Sequence, residues 1–204
     1  MGLYVKLRVK ALIFDIDGTL GDTMPVHWKA WEEAGRAYGF SYPQELFYAN
    51  AGMSSRAIVN WLNRRFGLEL DPELIIAAKN EAYLRHIEAI KPFEPVVALV
   101  HKFYGRLPLG LGTGECRAIA EQNVRALGLE KYFAALVCCD DVAHPKPAPE
   151  TFLLCADRLG VAPEYCQVFE DGELGLEAAR RAGMVATDVR PFLTEAAEQR
   201  LRVS

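Results

Sequence analysis

Cysteine is scarce in this chain and badly arranged for cross-linking. The five residues (Cys116, Cys138, Cys139, Cys155 and Cys166) are an odd number and contain no Cys-x-x-Cys pair. That excludes a disulfide framework and a zinc ribbon, and free thiols suit a reducing cytoplasm. A basic face is missing too. The net charge is −4, and Arg64-Arg65 and Arg180-Arg181 are the only adjacent basic pairs, so no nucleic-acid partner is expected. No run is long enough to cross a bilayer: the longest apolar stretch, Tyr132 to Cys139, is far too short, and no membrane partner is expected. Residues 1–10 lack the apolar core of a signal peptide. There is no internal repeat and no low-complexity segment, and nothing resembles an interface helix or coiled coil, so a monomer is expected.

What is abundant is apolar side chain, 51% of 204 residues, enough for one large domain or a core with a smaller insert. Five short apolar runs read as buried parallel strands: Ala11–Phe14, Leu107–Leu111, Ala135–Cys139, Cys166–Phe169 and Val185–Val189. Helical patterns separate the later four. Those over 118–127, 149–159 and 172–182 each stop at a glycine, Gly128, Gly160 or Gly183. Strands alternating with helices predict an α/β fold, a doubly wound, Rossmann-like parallel sheet. The interval after the first strand differs. It predicts four helices, over 26–38, 43–49, 54–66 and 72–90, before Pro92 and Pro95 mark a return to the core. The expected division is a catalytic core of residues 1–23 and 91–204, with a helical cap domain of 24–90 that closes over the strand ends and excludes water.

Four segments carry chemistry. The first strand runs into Asp15-Ile16-Asp17-Gly18-Thr19, placing two carboxylates where open α/β sheets bind ligands. Asp-x-Asp-Gly also occurs in solvated turns and calcium loops. A calcium loop needs Glu at its twelfth position, and here that position is Val26. After the second strand comes Gly112-Thr113-Gly114, a hydroxyl and backbone amides before a helix expected to start near Glu115, suited either to phosphate or to a simple cap. Prolines 145, 147 and 149 hold Lys146 stiffly. After the fourth strand, Glu170-Asp171-Gly172 repeats the acid pair, and adjacent carboxylates at a strand end call for a cation such as Mg²⁺. Each segment alone has an ordinary structural reading. Four of them, in that order at strand ends, do not.

On these residues the chain resembles the haloacid dehalogenase superfamily, in its Mg²⁺-dependent phosphatase and phosphomutase branch. It is similar to sugar-phosphate phosphatases of the fructose-1-phosphate and 6-phosphogluconate type, and to β-phosphoglucomutase. The resemblance covers nearly the whole chain. It implies that Asp15 is a nucleophile forming an aspartyl-phosphate and Asp17 an acid–base. Thr113 and Lys146 would hold the phosphoryl oxygens. Asp15, the Asp17 carbonyl and Asp171 would hold Mg²⁺, with Glu170 either a further ligand or directly behind them. Thr19, Gly114, His27, Arg56 and Lys79 would bind substrate, with Gly52-Met53-Ser54-Ser55-Arg56 opening a cap helix and Arg56 and Lys79 able to grip a second anion. Trp28 and Trp31 are expected in the cap core. Two departures stand out, Glu115 after Thr113-Gly114 and Glu173 after Gly172. The implied function is hydrolysis of a small sugar phosphate, with a phosphomutase as the alternative. A non-catalytic phosphate-binding module is disfavoured because Asp15 and Asp17 are both present.

Overall fold

The computed structural model describes residues 2–50 and 53–193; Gly52 of the expected cap motif lies outside them. Five strands, β1 (Ala11–Phe14), β2 (Leu109–Gly112), β3 (Ala135–Val137), β4 (Cys166–Glu170) and β5 (Val185–Asp188), form one parallel sheet in the order β3-β2-β1-β4-β5. The α/β, doubly wound architecture is therefore as the alternating pattern predicts. The chain builds outward from β1 on one side, then crosses to the other. The switch falls beside β1, so the carboxyl ends of β1, β2 and β4 enclose a crevice.

Both faces of the sheet are covered, which is why its strands read as unbroken apolar runs. On one face Leu12, Phe14, Leu111 and Phe169 pack under α5 (Glu94–Phe103) and α6 (Arg117–Ala126). Phe14 and Phe169 stack with ring centroids 4.9 Å apart, directly before the acid pairs. On the other face Ile13, Val137 and Val168 pack under α7 (Glu150–Leu159) and α8 (Glu173–Arg181). The two glycines of β2 serve that second face: a Cβ on Gly110 would lie 2.6 Å from Cys155 Sγ, and one on Gly112 would lie 3.0 Å from the Phe152 ring. Close approach of α7 thus demands glycine in a central strand.

Between β1 and β2 lie α1 (Met24–Tyr38), α2 (Gln44–Ala49), α3 (Ser55–Phe66) and α4 (Pro72–Arg85). Their starts are chemically marked. Ser54 Oγ accepts from Ala57 N, and Asp71 accepts from Glu73 N and Leu74 N, each offsetting an otherwise unpaired amide. Trp31, Phe47, Val59, Leu62 and Ile75 form a core of their own, with Trp28 packed against it, as expected for both tryptophans. A second cluster, Val26, Ala30, Tyr83 and Ile119, ties α1 and α4 to α6. The segment leaves and re-enters the sheet unit at one place: Asp22 N donates to Lys91 O at 2.8 Å and Phe93 N to Leu20 O at 2.9 Å.

Several boundaries differ from the sequence expectation: β2 starts at Leu109 and not Leu107, and β3 stops at Val137, before Cys138 and Cys139. The last helix of the insert ends at Arg85 and is followed by a 3-10 turn, Ile87–Ala89. The return to the core is itself a helix, α5, with Pro95 in its first turn, where a missing amide hydrogen costs nothing. The helix after Thr113 begins at Arg117, and its first amide donates to the Asp140 carboxylate at 2.6 Å, so that helix N-terminus is already occupied. No helix among the described residues is long and apolar enough to cross a membrane.

Candidate active site

The crevice at the strand ends is a cavity with a charged floor and an apolar wall. β1 delivers Asp15 to the floor and β4 delivers Glu170, both nearly fully buried. Asp171 follows, and one oxygen from each of the three carboxylates lies within 4.8 Å of the others. Lys146 reaches in from the proline-rich loop before α7. Its Nζ donates to Asp15 Oδ1 and to Glu170 Oε2, each at 2.7 Å, and sits 4.8 Å from the centroid of the Phe152 ring.

Charge is unevenly matched here. Burial, with Glu170 alongside, drives the Asp15 carboxyl well above the usual carboxylate range despite Lys146. Burial and Glu170 likewise push Asp171 up to about 7. Burial works against the charge on Lys146, but its two carboxylate partners outweigh it and hold the ammonium firmly protonated. Three carboxylates against one lysine is a hard-oxygen donor set short of positive charge, which fits Mg²⁺. The backbone makes room for the carboxylates themselves. Gly18 has φ +87, and a Cβ there would run into the Asp171 carboxylate; a Cβ on Gly175 of α8 would run into Glu170.

Asp17 belongs to a different network. Its Oδ1 accepts from Asn123 Nδ2 at 2.9 Å and contacts His27 Nε2 at 3.1 Å; its Oδ2 accepts from Thr113 Oγ1 at 3.5 Å. Burial alone raises the carboxyl, but the His27 hydrogen bond and charge and further donors bring it below its ordinary value. Tyr83 completes the network. Its ring stacks on His27 with centroids 4.2 Å apart, and its hydroxyl donates to Asn123 Oδ1 at 2.8 Å. Lys79, almost wholly buried, donates to Glu115 Oε2 at 3.1 Å. Burial raises the Glu115 carboxyl, but Lys79 and His27 carry it below the ordinary range.

Residues 9–183 match the haloacid dehalogenase-like hydrolase family. The chain belongs to that family. It is 45% identical over 184 residues to fructose-1-phosphate phosphatase YqaB of Escherichia coli (strain K12), covering 90% of this chain and 97% of the relative. It is 34% identical over 178 residues to the phosphorylated carbohydrates phosphatase of Thermotoga maritima, covering 86% and 82%. Among solved structures, CbbY from Rhodobacter sphaeroides, crystallised in complex with phosphate, superposes with a TM-score of 0.80 at 25% identity, over 87% of this chain and 84% of that one.

In this haloacid dehalogenase-like hydrolase the predicted residues are not all brought together. Asp15, Asp17, Thr113, Gly114, Lys146, Glu170, Asp171, His27 and Lys79 all line the cavity. Thr19 does not. It is fully buried and donates to Asp171 Oδ1 at 2.8 Å, so its hydroxyl orients a carboxylate. Arg56 does not either: it lies exposed on α3, paired with Glu73, while Ser55 and Ile58 of the same helix face the cavity. Of the two extra acids, Glu173 is exposed and pairs with Arg190 at 2.6 Å, whereas Glu115 lines the cavity. Sequence reasoning places Tyr83 four residues after Lys79 on the last cap helix without giving it a role, and it missed Asn123. Asn123 carried a signal: it lies on the apolar face of α6 with Ile119, Ala120 and Val124, where an amide needs a buried partner.

Proposed function

We propose that this chain is a Mg²⁺-dependent phosphomonoesterase that hydrolyses a small sugar phosphate through an aspartyl-phosphate on Asp15. The observation that carries the reading is the floor of the cavity: Asp15 within 2.7 Å of Lys146, clustered with Glu170 and Asp171, and Asp17 two residues on in a separate donor network. A phosphoryl group set on that floor meets a carboxylate nucleophile, a fixed ammonium and the Thr113 hydroxyl.

In the first step an Asp15 oxygen bonds to phosphorus, the sugar–oxygen bond to phosphorus breaks, and the alkoxide takes a proton from Asp17. Against the effect of burial, His27 draws the Asp17 carboxyl below its ordinary range, so Asp17 acquires that proton as the anionic phosphate raises its proton affinity. In the second step Asp17 takes a proton from water, water oxygen bonds to phosphorus, and the Asp15–phosphorus bond breaks to give orthophosphate. Asp15, Asp171 and the Asp17 carbonyl, with Glu170 beside them, would hold Mg²⁺, which would supply the positive charge that the carboxylate cluster and the phosphoryl oxygens require. Lys146 and Thr113 position the oxygens throughout.

Residues 24–90 act as a cap on a core of 1–23 and 91–204, supplying His27 and Lys79 to the cavity. Five free thiols fit the reducing cytoplasm, and a small-molecule substrate needs no macromolecular partner. Arg56 weighs against the phosphomutase alternative, because that reading uses it to hold a distal phosphate and here it points away, paired with Glu73.

The test is orthophosphate release from a panel of sugar phosphates, with Mg²⁺ and with chelator, beside an Asp15→Asn variant. Metal-dependent release that vanishes in the variant is expected. Isomerisation of β-glucose-1-phosphate with a bisphosphate activator, without release, would instead establish the mutase.

A further inference from the structure

Resting on the phosphatase reading, we infer that Glu115 selects substrate by charge: it neutralises Lys79 and so restricts the cavity to substrates with one anionic group and an uncharged, hydroxylated leaving group. Among the described residues lining the cavity, the side chains able to carry positive charge are Lys146, Lys79 and His27. Each is committed. Lys146 serves the transferring phosphoryl group and is bonded to Asp15 and Glu170. His27 sits 3.1 Å from Asp17 and 3.9 Å from Glu115.

That leaves Lys79 as the one cation for a second anionic group. Its ammonium is 3.1 Å from Glu115 Oε2, with the Lys79 side chain 1% exposed and Glu115 13% exposed. Arg56 is turned outward to Glu73. The remaining wall away from the floor is largely apolar, with Trp31, Phe47, Met53 and Ile58. A second phosphate or a carboxylate placed there sheds water without gaining a free counter-charge and meets the Glu115 carboxylate, a like-charge juxtaposition. A hydroxyl meets no such barrier. Glu115 Oε1 accepts from Cys116 N at 3.0 Å and Oε2 from Lys79, and each carboxylate oxygen retains a lone pair for a sugar O–H. Glu115 therefore closes the cavity to one chemistry and opens it to another.

The experiment compares orthophosphate release from fructose-1-phosphate and from fructose-1,6-bisphosphate in Mg²⁺. The proteins are wild type, Glu115→Gln, and the double variant Glu115→Gln with Lys79→Met. Wild type is expected to favour the monophosphate in kcat/KM by about tenfold or more. Glu115→Gln frees Lys79 and shifts the preference toward the bisphosphate by about tenfold, and the double variant, again neutral at this position, loses that shift. Wild type that turns over the bisphosphate as well as the monophosphate overturns the inference, whether or not the variants fold. A ratio that stays within about twofold in folded Glu115→Gln overturns it too. Calorimetric binding of orthophosphate and of pyrophosphate to the same three proteins reads the same preference without turnover. Absent phosphate release defeats the phosphatase reading alone, whereas an unmoved affinity ratio in Glu115→Gln defeats the role of Glu115.

Discussion

Asn123 donates its side-chain amide to Asp17 across 2.9 Å, from the middle of α6 to the loop after β1. The oxygen of that amide accepts from the Tyr83 hydroxyl, so one buried asparagine joins Asp17 to a helix of the insert. Replacing it with alanine strips a donor from Asp17 and leaves the Tyr83 hydroxyl unpaired. The expected cost is about 1–3 kcal/mol of stability and a fall in kcat of about a hundredfold. Chemical denaturation and steady-state kinetics on Asn123→Ala check both. A variant of unchanged kcat shows that Asp17 works without this support.

Lys146 is the only cation bonded to Asp15 and Glu170 among the described residues. Lys146→Met leaves both carboxylates buried without it and should destabilise the metal-free protein by about 3–5 kcal/mol. Mg²⁺ should recover part of that loss, because it supplies charge to the same oxygens. Lys146→Arg should not restore turnover, since a planar guanidinium does not reproduce a compact ammonium packed against Phe152. Melting temperatures with and without Mg²⁺, beside activity, decide this.

The buried and crowded carboxylates predict an inverted pH response. Asp171 is pushed up to about 7, above the 3.8 of an ordinary aspartate. Between those values the folded state binds a proton that the unfolded chain releases, so stability rises as pH falls through that window. In chelator, the melting temperature should be higher at pH 6 than at pH 8. In saturating Mg²⁺ the trend should flatten, because a bound cation keeps Asp171 ionised, and Tm at pH 8 should rise by mass action. A chelated protein that is more stable at pH 8 than at pH 6 contradicts a raised Asp171 carboxyl.

Gly18 combines a left-handed φ of +87 with a hydrogen where any Cβ would meet the Asp171 carboxylate. Gly18→Ala should lose about 1–2 kcal/mol to backbone strain and displace Asp171. The Mg²⁺ concentration for half-maximal activity should then rise about tenfold. A metal titration of both proteins tests it, and an unshifted midpoint shows that Asp171 has slack.

Much of this was legible in the residues themselves. Strands buried on both faces leave continuous apolar runs, so Ala11–Phe14 and Cys166–Phe169 could be located and the acids after them placed on one sheet edge. Helices that stop at Gly128, Gly160 and Gly183 announce their ends. The helix Glu94–Phe103 was hidden because Pro95 reads as a breaker unless its place in the first turn is known. The start of the helix at Arg117 was hidden because Cys116 makes no side-chain cap. Arg56 shows a deeper limit. The sequence placed Ser54 as a cap and Arg56 on the following helix, but which flank of that helix meets the cavity depends on how the insert packs, and a step of about 100° per residue separates Ser55 from Arg56. Glu115 stands out in the sequence as a departure from the family pattern, but its partner Lys79 lies 36 positions away in the chain.

The two crossings between insert and sheet, Asp22 to Lys91 and Phe93 to Leu20, lie side by side. A segment whose ends meet this closely imposes no stretch on its host, whatever its length or internal arrangement. Helices of the insert can therefore be lengthened, shortened or exchanged without shifting the register of β1 against its neighbours. The carboxylate floor on the sheet is thereby insulated from changes in the insert's length, and only the insert's inner face, where His27, Lys79 and Tyr83 bond to residues of the sheet unit, is bound to stay as it is.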